Sequence, residues 1–145
     1  MKTILSALST WSVCRMARWY LDRSSRKDAA CLGGRVRLRT VWNHGAAFGL
    51  PIPKNWLPVI SVGALAALLT QKRRHPVSVG LILGGGFSNL LERVREGRVY
   101  DYIHFPKAPG PLKRYVYNLA DLAVFAGCLG LMLSGRDKEC PAGKD

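Results

Sequence analysis

The sequence predicts an all-α membrane protein, a bundle of four transmembrane helices with a small extramembrane β element. Three observations carry that prediction. Residues 56–70, "WLPVISVGALAALLT", and 76–91, "PVSVGLILGGGFSNLL", hold no charge, and 115–134 are apolar apart from Asn118 and Asp121. The charges crowd instead into short blocks such as "QKRRH" and "ERVREGR". Finally, "CLGGRVRLRTVWN" alternates after a Gly-Gly turn, with Val36, Leu38 and Thr40 on one face and Arg37 and Arg39 on the other, which is strand periodicity.

A helix rises about 1.5 Å per residue, so crossing the hydrocarbon core takes about 20 residues. The segment at 115–134 meets that length. The two middle segments are shorter and need their aromatic or polar flanks. The first segment, Thr3 to Leu21, is only moderately apolar and is interrupted by Arg15 and Arg18. No small-residue cleavage site follows it, so it reads as a retained membrane segment and not a cleaved signal peptide. The predicted helices are 3–22, 56–71, 76–92 and 115–134. Residues 1–134 form one integral-membrane domain, and 135–145 form a disordered cytoplasmic tail. Four crossings place both termini with "QKRR" on the cytoplasmic side by the positive-inside rule, although "RSSRKD" and "GRVRLR" on the other side are also basic.

Lys and Arg number 22 against 9 Asp and Glu, a net charge of +13. Such a balance fits a polyanion, either nucleic acid or an anionic membrane surface. The uncharged segments favour the membrane, so no nucleic-acid partner is expected. Cys14, Cys31, Cys128 and Cys140 show no C-x-x-C pairing and no histidine at ligand spacing. They predict neither a disulfide framework nor a metal site. His44, His75 and His104 are scattered and carry no assigned role.

Asp121 falls about six residues inside the last predicted helix, roughly 9 Å from its start. A carboxylate in lipid costs several kcal/mol, so it is expected to face a protein interior or a wet cavity. Asn118, three residues earlier, lies on the same helix face. Asp101, in "GRVYDYIHF", follows the third helix among interfacial aromatics, near the same membrane face. Two close carboxylates split their pKa values into an acid and a base, which together activate water. Gly85, Asn89 and Arg93 fall along one face of the third helix, where the glycine permits close approach. Asn43 and Gly45 lie in "WNHGAAFGL", a loop able to hold a substrate's backbone.

These blocks in this order resemble the lipoprotein signal peptidase (signal peptidase II) family. Asn43, Gly45, Ala47 and Phe48 resemble its N-x-G-x-A-F block. Gly84, Gly85, Asn89, Glu92 and Arg93 resemble G-G-x-x-x-N-x-x-D-R, with Glu92 standing where the pattern has Asp. Val99, Asp101 and Tyr102 resemble V-x-D-[FY]. Tyr117, Asn118, Ala120 and Asp121 resemble [FY]-N-x-A-D. Asp22 with Arg26 is similar to a pair at the end of the family's first helix. The resemblance implies a four-helix membrane aspartic endopeptidase that removes signal peptides from bacterial prolipoproteins before a diacylglyceryl-modified cysteine. It implies Asp101 and Asp121 as the catalytic dyad. Asn43, Gly45, Asn89, Arg93 and Asn118 become substrate-binding, and Asp22 and Glu92 supporting. It implies no cofactor and no metal, prolipoproteins and membrane lipids as partners, and a multi-pass place in the bacterial inner membrane with the site near the extracytoplasmic face. A member of the same fold that binds lipidated peptides without cutting them is the alternative.

Overall fold

A computed structural model describes residues 1–24, 29–45, 53, 55–71 and 75–136. Among the described residues the main elements are four α-helices and one small sheet. The helices are α1 (Lys2–Arg23), α2 (Trp56–Leu68), α3 (Pro76–Glu96) and α4 (Leu119–Arg136). The strands are β1 (Ala30–Cys31), β2 (Val36–Asn43), β3 (Val99–His104) and β4 (Val116–Tyr117), in the order β1-β2-β3-β4. Every adjacent pair is antiparallel.

Helix α3 is the hub, and the run Gly84-Gly85-Gly86 explains why. Successive residues of a helix point about 100° apart, so the three glycines face three different neighbours. A Cβ on Gly84 would strike the backbone of Ala7 and the side chain of Thr10 in α1. One on Gly85 would meet Ala120 O of α4 at 2.6 Å, and one on Gly86 would meet Leu65 Cδ2 of α2 at 2.8 Å. In α4, Gly127 returns the contact, with Ser78 O at 2.6 Å from its notional Cβ. Small residues here let backbones approach as side chains of any size would not. The buried apolar core is correspondingly thin, with Val79 and Ile82 of α3, Val99 and Tyr100 of β3, and Ala120 of α4 among its members.

The boundaries differ from expectation at both ends of the site. Helix α3 runs on through Glu96, four residues past the predicted end. Arg93 and Arg95 suit the negative end of its dipole. Gly97, at φ +68°, closes it in the left-handed conformation, its N–H donating to Arg93 O. Helix α4 starts at Leu119 and not at 115. The apolar run Tyr115–Tyr117 is instead partly strand, with Tyr117 opposite Ile103 and Val116 opposite His104. The β element is also larger than predicted, because β3 joins it from the segment read as a loop. Helix α2 gives way to a 3-10 turn at Leu69–Gln71.

Among the described residues, no helix is long and apolar enough to cross a membrane, where the sequence led us to expect four. Thirteen residues of α2 span only about 20 Å. Helix α1 carries Arg15, Arg18, Asp22 and Arg23, and α3 ends in alternating charge. Yet all four helices show large apolar side chains outward, including Leu5, Leu8, Ile60, Val77, Phe125 and Met132. Cys14, Cys31 and Cys128 are free thiols. The basic turn at 72–74, Arg26, Ala47, Phe48 and the tail from 137, with Cys140, lie outside the described residues.

The glycine contacts generate a prediction. Gly84→Ala and Gly127→Ala will each destabilise the purified protein by about 1–3 kcal/mol through overpacking, read as a lower thermal unfolding midpoint. Gly63 of α2 faces open space, so Gly63→Ala will leave the midpoint unchanged or raise it.

Candidate active site

Asp101 sits in β3 and is 3% exposed, so it is not a loop charge in solvent. Its Oδ2 accepts a hydrogen bond from Asn43 Nδ2 of β2 at 3.0 Å, and its Oδ1 accepts one from Asn118 Nδ2 at 2.9 Å. The sheet register makes the first contact possible, since Val41 of β2 lies opposite Asp101 and Asn43 opposite Val99.

Asp121 is not deep within α4. It is the third residue of the helix, and Asn118 is the cap. The Asn118 Oδ1 accepts from Asp121 N–H at 2.9 Å, while the Asp121 Oδ2 accepts from Asn118 N–H at 3.0 Å. This is a reciprocal capping box, which satisfies two backbone donors that the helix start leaves open. The Leu119 N–H, a third open donor, goes to Tyr102 Oη at 3.1 Å. The other carboxylate oxygen of Asp121 accepts from Asn89 Nδ2 of α3 at 2.8 Å. Asn118 Nδ2 also donates to Asn89 Oδ1 at 3.0 Å. Asn118 thus joins both aspartates and Asn89 in one network.

Burial first, and then the neighbouring Asp121 charge, push the Asp101 carboxyl up to about 7. The donors on Asn43 and Asn118 and the charge of Arg93 hold it from rising further. Burial likewise pushes the Tyr102 phenol up to about 12, which keeps it protonated beside Leu119.

The remaining predicted residues take three positions. Gly45 N–H donates to Asn43 Oδ1 at 3.0 Å, and Arg93 Nη2 donates to Gly45 O at 3.0 Å. Arg93 therefore ties α3 to the loop after β2. Glu92 lies one layer behind the aspartates, its Oε2 accepting from Tyr100 N–H at 3.0 Å. Asp22 stands apart from them. Its Oδ2 lies 3.3 Å from Arg18 Nε, on the same helix.

Several partners in this arrangement went unread in the sequence. Arg15 and Arg18 looked like flaws in an apolar helix. Arg15 Nη1 lies 3.6 Å from Glu92 Oε1, and Arg18 Nη2 lies 3.6 Å from Glu96 Oε2. Their spacing, three apart on α1 against four apart on α3, is complementary, and two cations in an apolar segment do call for acidic partners. Tyr100 and Tyr102, read as interfacial aromatics, are buried. Among the described residues, no three His, Cys, Asp or Glu side chains gather as metal ligands.

Known proteins resemble this chain in sequence and in fold. The model of the family described as signal peptidase (SPase) II matches residues 7–135. A lipoprotein signal peptidase of Methylorubrum extorquens (strain PA1) is 38% identical over 103 residues, covering 64% of this chain and 59% of that protein. This chain therefore spans less than two thirds of that relative's length. A lipoprotein signal peptidase of Syntrophomonas wolfei subsp. wolfei is 36% identical over 121 residues, covering 79% of this chain and 75% of that protein. A solved structure described as a bacterial membrane enzyme superposes with a TM-score of 0.79 at 19% identity, covering 95% of this chain and 94% of that one, and so shares its fold. A family match running from α1 through α4 leaves one conclusion: the chain belongs to the signal peptidase II family.

Proposed function

We propose that the chain is a membrane aspartic endopeptidase that cuts bacterial prolipoproteins before the diacylglyceryl-modified cysteine. One observation carries this reading above the others: Asn118 bonds to both aspartates at once, with Nδ2 to the buried Asp101 and backbone N–H to the part-buried Asp121. Two carboxyls held by one residue share a single electrostatic environment, in which double ionisation is unfavourable.

The division of labour follows from their surroundings. Asp121 accepts two hydrogen bonds and sits in the first turn of a helix, where the dipole favours negative charge. It is the ionised base and takes a proton from water as the water's oxygen attacks the scissile carbonyl. Asp101, pushed up to about 7, is the acid at neutral pH. It donates a hydrogen bond to the carbonyl oxygen and then passes its proton to the leaving amine. Asn43, Asn89 and Asn118 hold the carboxyls. Gly45 and Arg93 shape the substrate-facing loop, and Glu92 and Asp22 support from behind. This hydrolysis calls on no cofactor.

The exposed apolar side chains on all four helices support a membrane setting, since soluble monomers rarely carry so much. In this reading the bundle as a whole presents the apolar exterior to the lipid of the bacterial inner membrane. The sheet and dyad lie towards the extracytoplasmic face, where prolipoproteins arrive.

Asp101→Asn and Asp121→Asn will each lower cleavage of a diacylglyceryl-modified precursor by roughly a thousandfold or more, read by product release from proteoliposomes. Cleavage surviving either change would remove the dyad assignment. The pH profile supplies a second check. As pH rises through about 7, Asp101 loses its proton and kcat/KM falls. The Asn43 donor favours the ionised form of Asp101, so Asn43→Ala raises the Asp101 value and moves the falling limb to higher pH. A limb that stays put or moves down would reject Asp101 as the acid.

A further inference from the structure

Arg18 is 8% exposed, in the helix beside the site. Its guanidinium lies over the Tyr100 ring at 3.8 Å and near the Trp42 ring at 4.9 Å. Nε faces Asp22 and Nη2 faces Glu96, while Nη1 has no hydrogen-bond partner. One turn earlier, Arg15 reaches Glu92, whose second oxygen holds the Tyr100 N–H. Tyr100 is held by further contacts from β2. Its hydroxyl lies 3.1 Å from Thr40 Oγ1, and the Trp42 ring meets it edge-on at 5.1 Å. Asp101 is the next residue along the strand.

Stability alone does not account for these charges. Each pair joins one buried group to a partly exposed one, so solvent screens the attraction while the buried member still bears its desolvation cost. What the pairs supply is geometry. A planar cation stacked on a ring and a carboxylate bonded to a backbone amide together fix one peptide unit in depth and rotation. We propose that Arg15 and Arg18 are positioning residues for Asp101, acting through Glu92 and Tyr100 to hold β3 at the depth where the two aspartates meet. The proposal rests on the peptidase reading for its kinetic consequence, and its structural half is measurable without turnover.

The experiment uses the full chain in proteoliposomes and two readouts. The first is hydrogen exchange at the Tyr100 amide. Arg15→Met will speed it by about tenfold or more, while amides of α3 and α4 around Gly85 and Gly127 keep their protection. The second is cleavage of a diacylglyceryl-modified precursor. Arg15→Met and Arg18→Met will lower kcat by about ten- to a hundredfold with KM changed less than about twofold, the pattern of a misplaced reacting group. Arg18→Lys keeps the charge near Asp22 and Glu96 but loses the planar stack. It will retain the thermal midpoint and still lower kcat.

A double-mutant cycle separates positioning from simple ion pairing. In Glu92→Gln the amide oxygen still accepts the Tyr100 N–H and no longer needs a cation. Adding Arg15→Met there will change kcat less than about twofold. An equal loss in both backgrounds would overturn the proposal. So would unchanged Tyr100 exchange in Arg15→Met, or a lower midpoint with kcat intact. None of these results bears on whether Asp101→Asn abolishes cleavage, so the two readings fail separately.

Discussion

Asn118 touches both carboxylates, one through its side-chain amide and the other through its backbone N–H. Its side-chain oxygen meanwhile caps α4 through the Asp121 N–H. One residue therefore both starts the helix and ties the two acids to each other. Helix starts are common places for a carboxylate, because open N–H groups and the dipole both favour it. Here the requirement is used twice. Asp121 serves the helix as the return half of a capping box while presenting an oxygen to Asn89. That resolves the difficulty of an acid in an apolar stretch: it lies in the first turn of α4, where local structure already calls for it.

Around that point the packing is organised by α3. Three adjacent glycines admit three helices, and two more turns bring Asn89, Glu92 and Arg93 to the end where the sheet begins. Each of these then contacts a different element. Asn89 goes to α4, Glu92 to β3 and α1, and Arg93 to the loop after β2. Close backbone packing in the apolar half thus fixes the polar half. A shift of α3 would displace all three side chains together, since they share one rigid rod.

The parts of this arrangement legible in the sequence are those carried by local spacing. Asn118 and Asp121 three apart, Gly85, Asn89 and Arg93 at helical intervals, and the alternation of Val36, Leu38 and Thr40 all survive as neighbours or shared faces. Pairings between distant segments were not legible. Val99–Tyr102 is buried throughout β3, so it lacks the alternation that marks a half-exposed strand, and its Pro and Gly flanks suggested a loop. Residues 115–117 are apolar enough to continue a helix, and only their pairing with β3 makes them strand and capping turn. The arginines of α1 were misread for the same reason, because their acids come from α3 and nothing in the first helix announces them.

Glu92, standing where the family pattern has Asp, and the α1 arginines lie in separate segments, yet they belong to one network. The Glu92 carboxylate reaches the Tyr100 amide with one oxygen and Arg15 with the other. A side chain one methylene shorter, starting from the same Cα, could not span to both without drawing β3 inward. A longer acid nearly free of solvent contact also has more need of a cation than a shorter, wetter one. Arg15 supplies it from α1. Arg18, one turn on, repeats the arrangement with Glu96 and covers the Tyr100 ring. Of the charges that make α1 a poor membrane helix, Arg15 is thus the counterion of the acid that fixes the backbone next to Asp101, and Arg18 covers the ring of the same residue, Tyr100. Apolarity in α1 and order in β3 therefore compete for the same positions, and this chain has resolved the competition in favour of the strand.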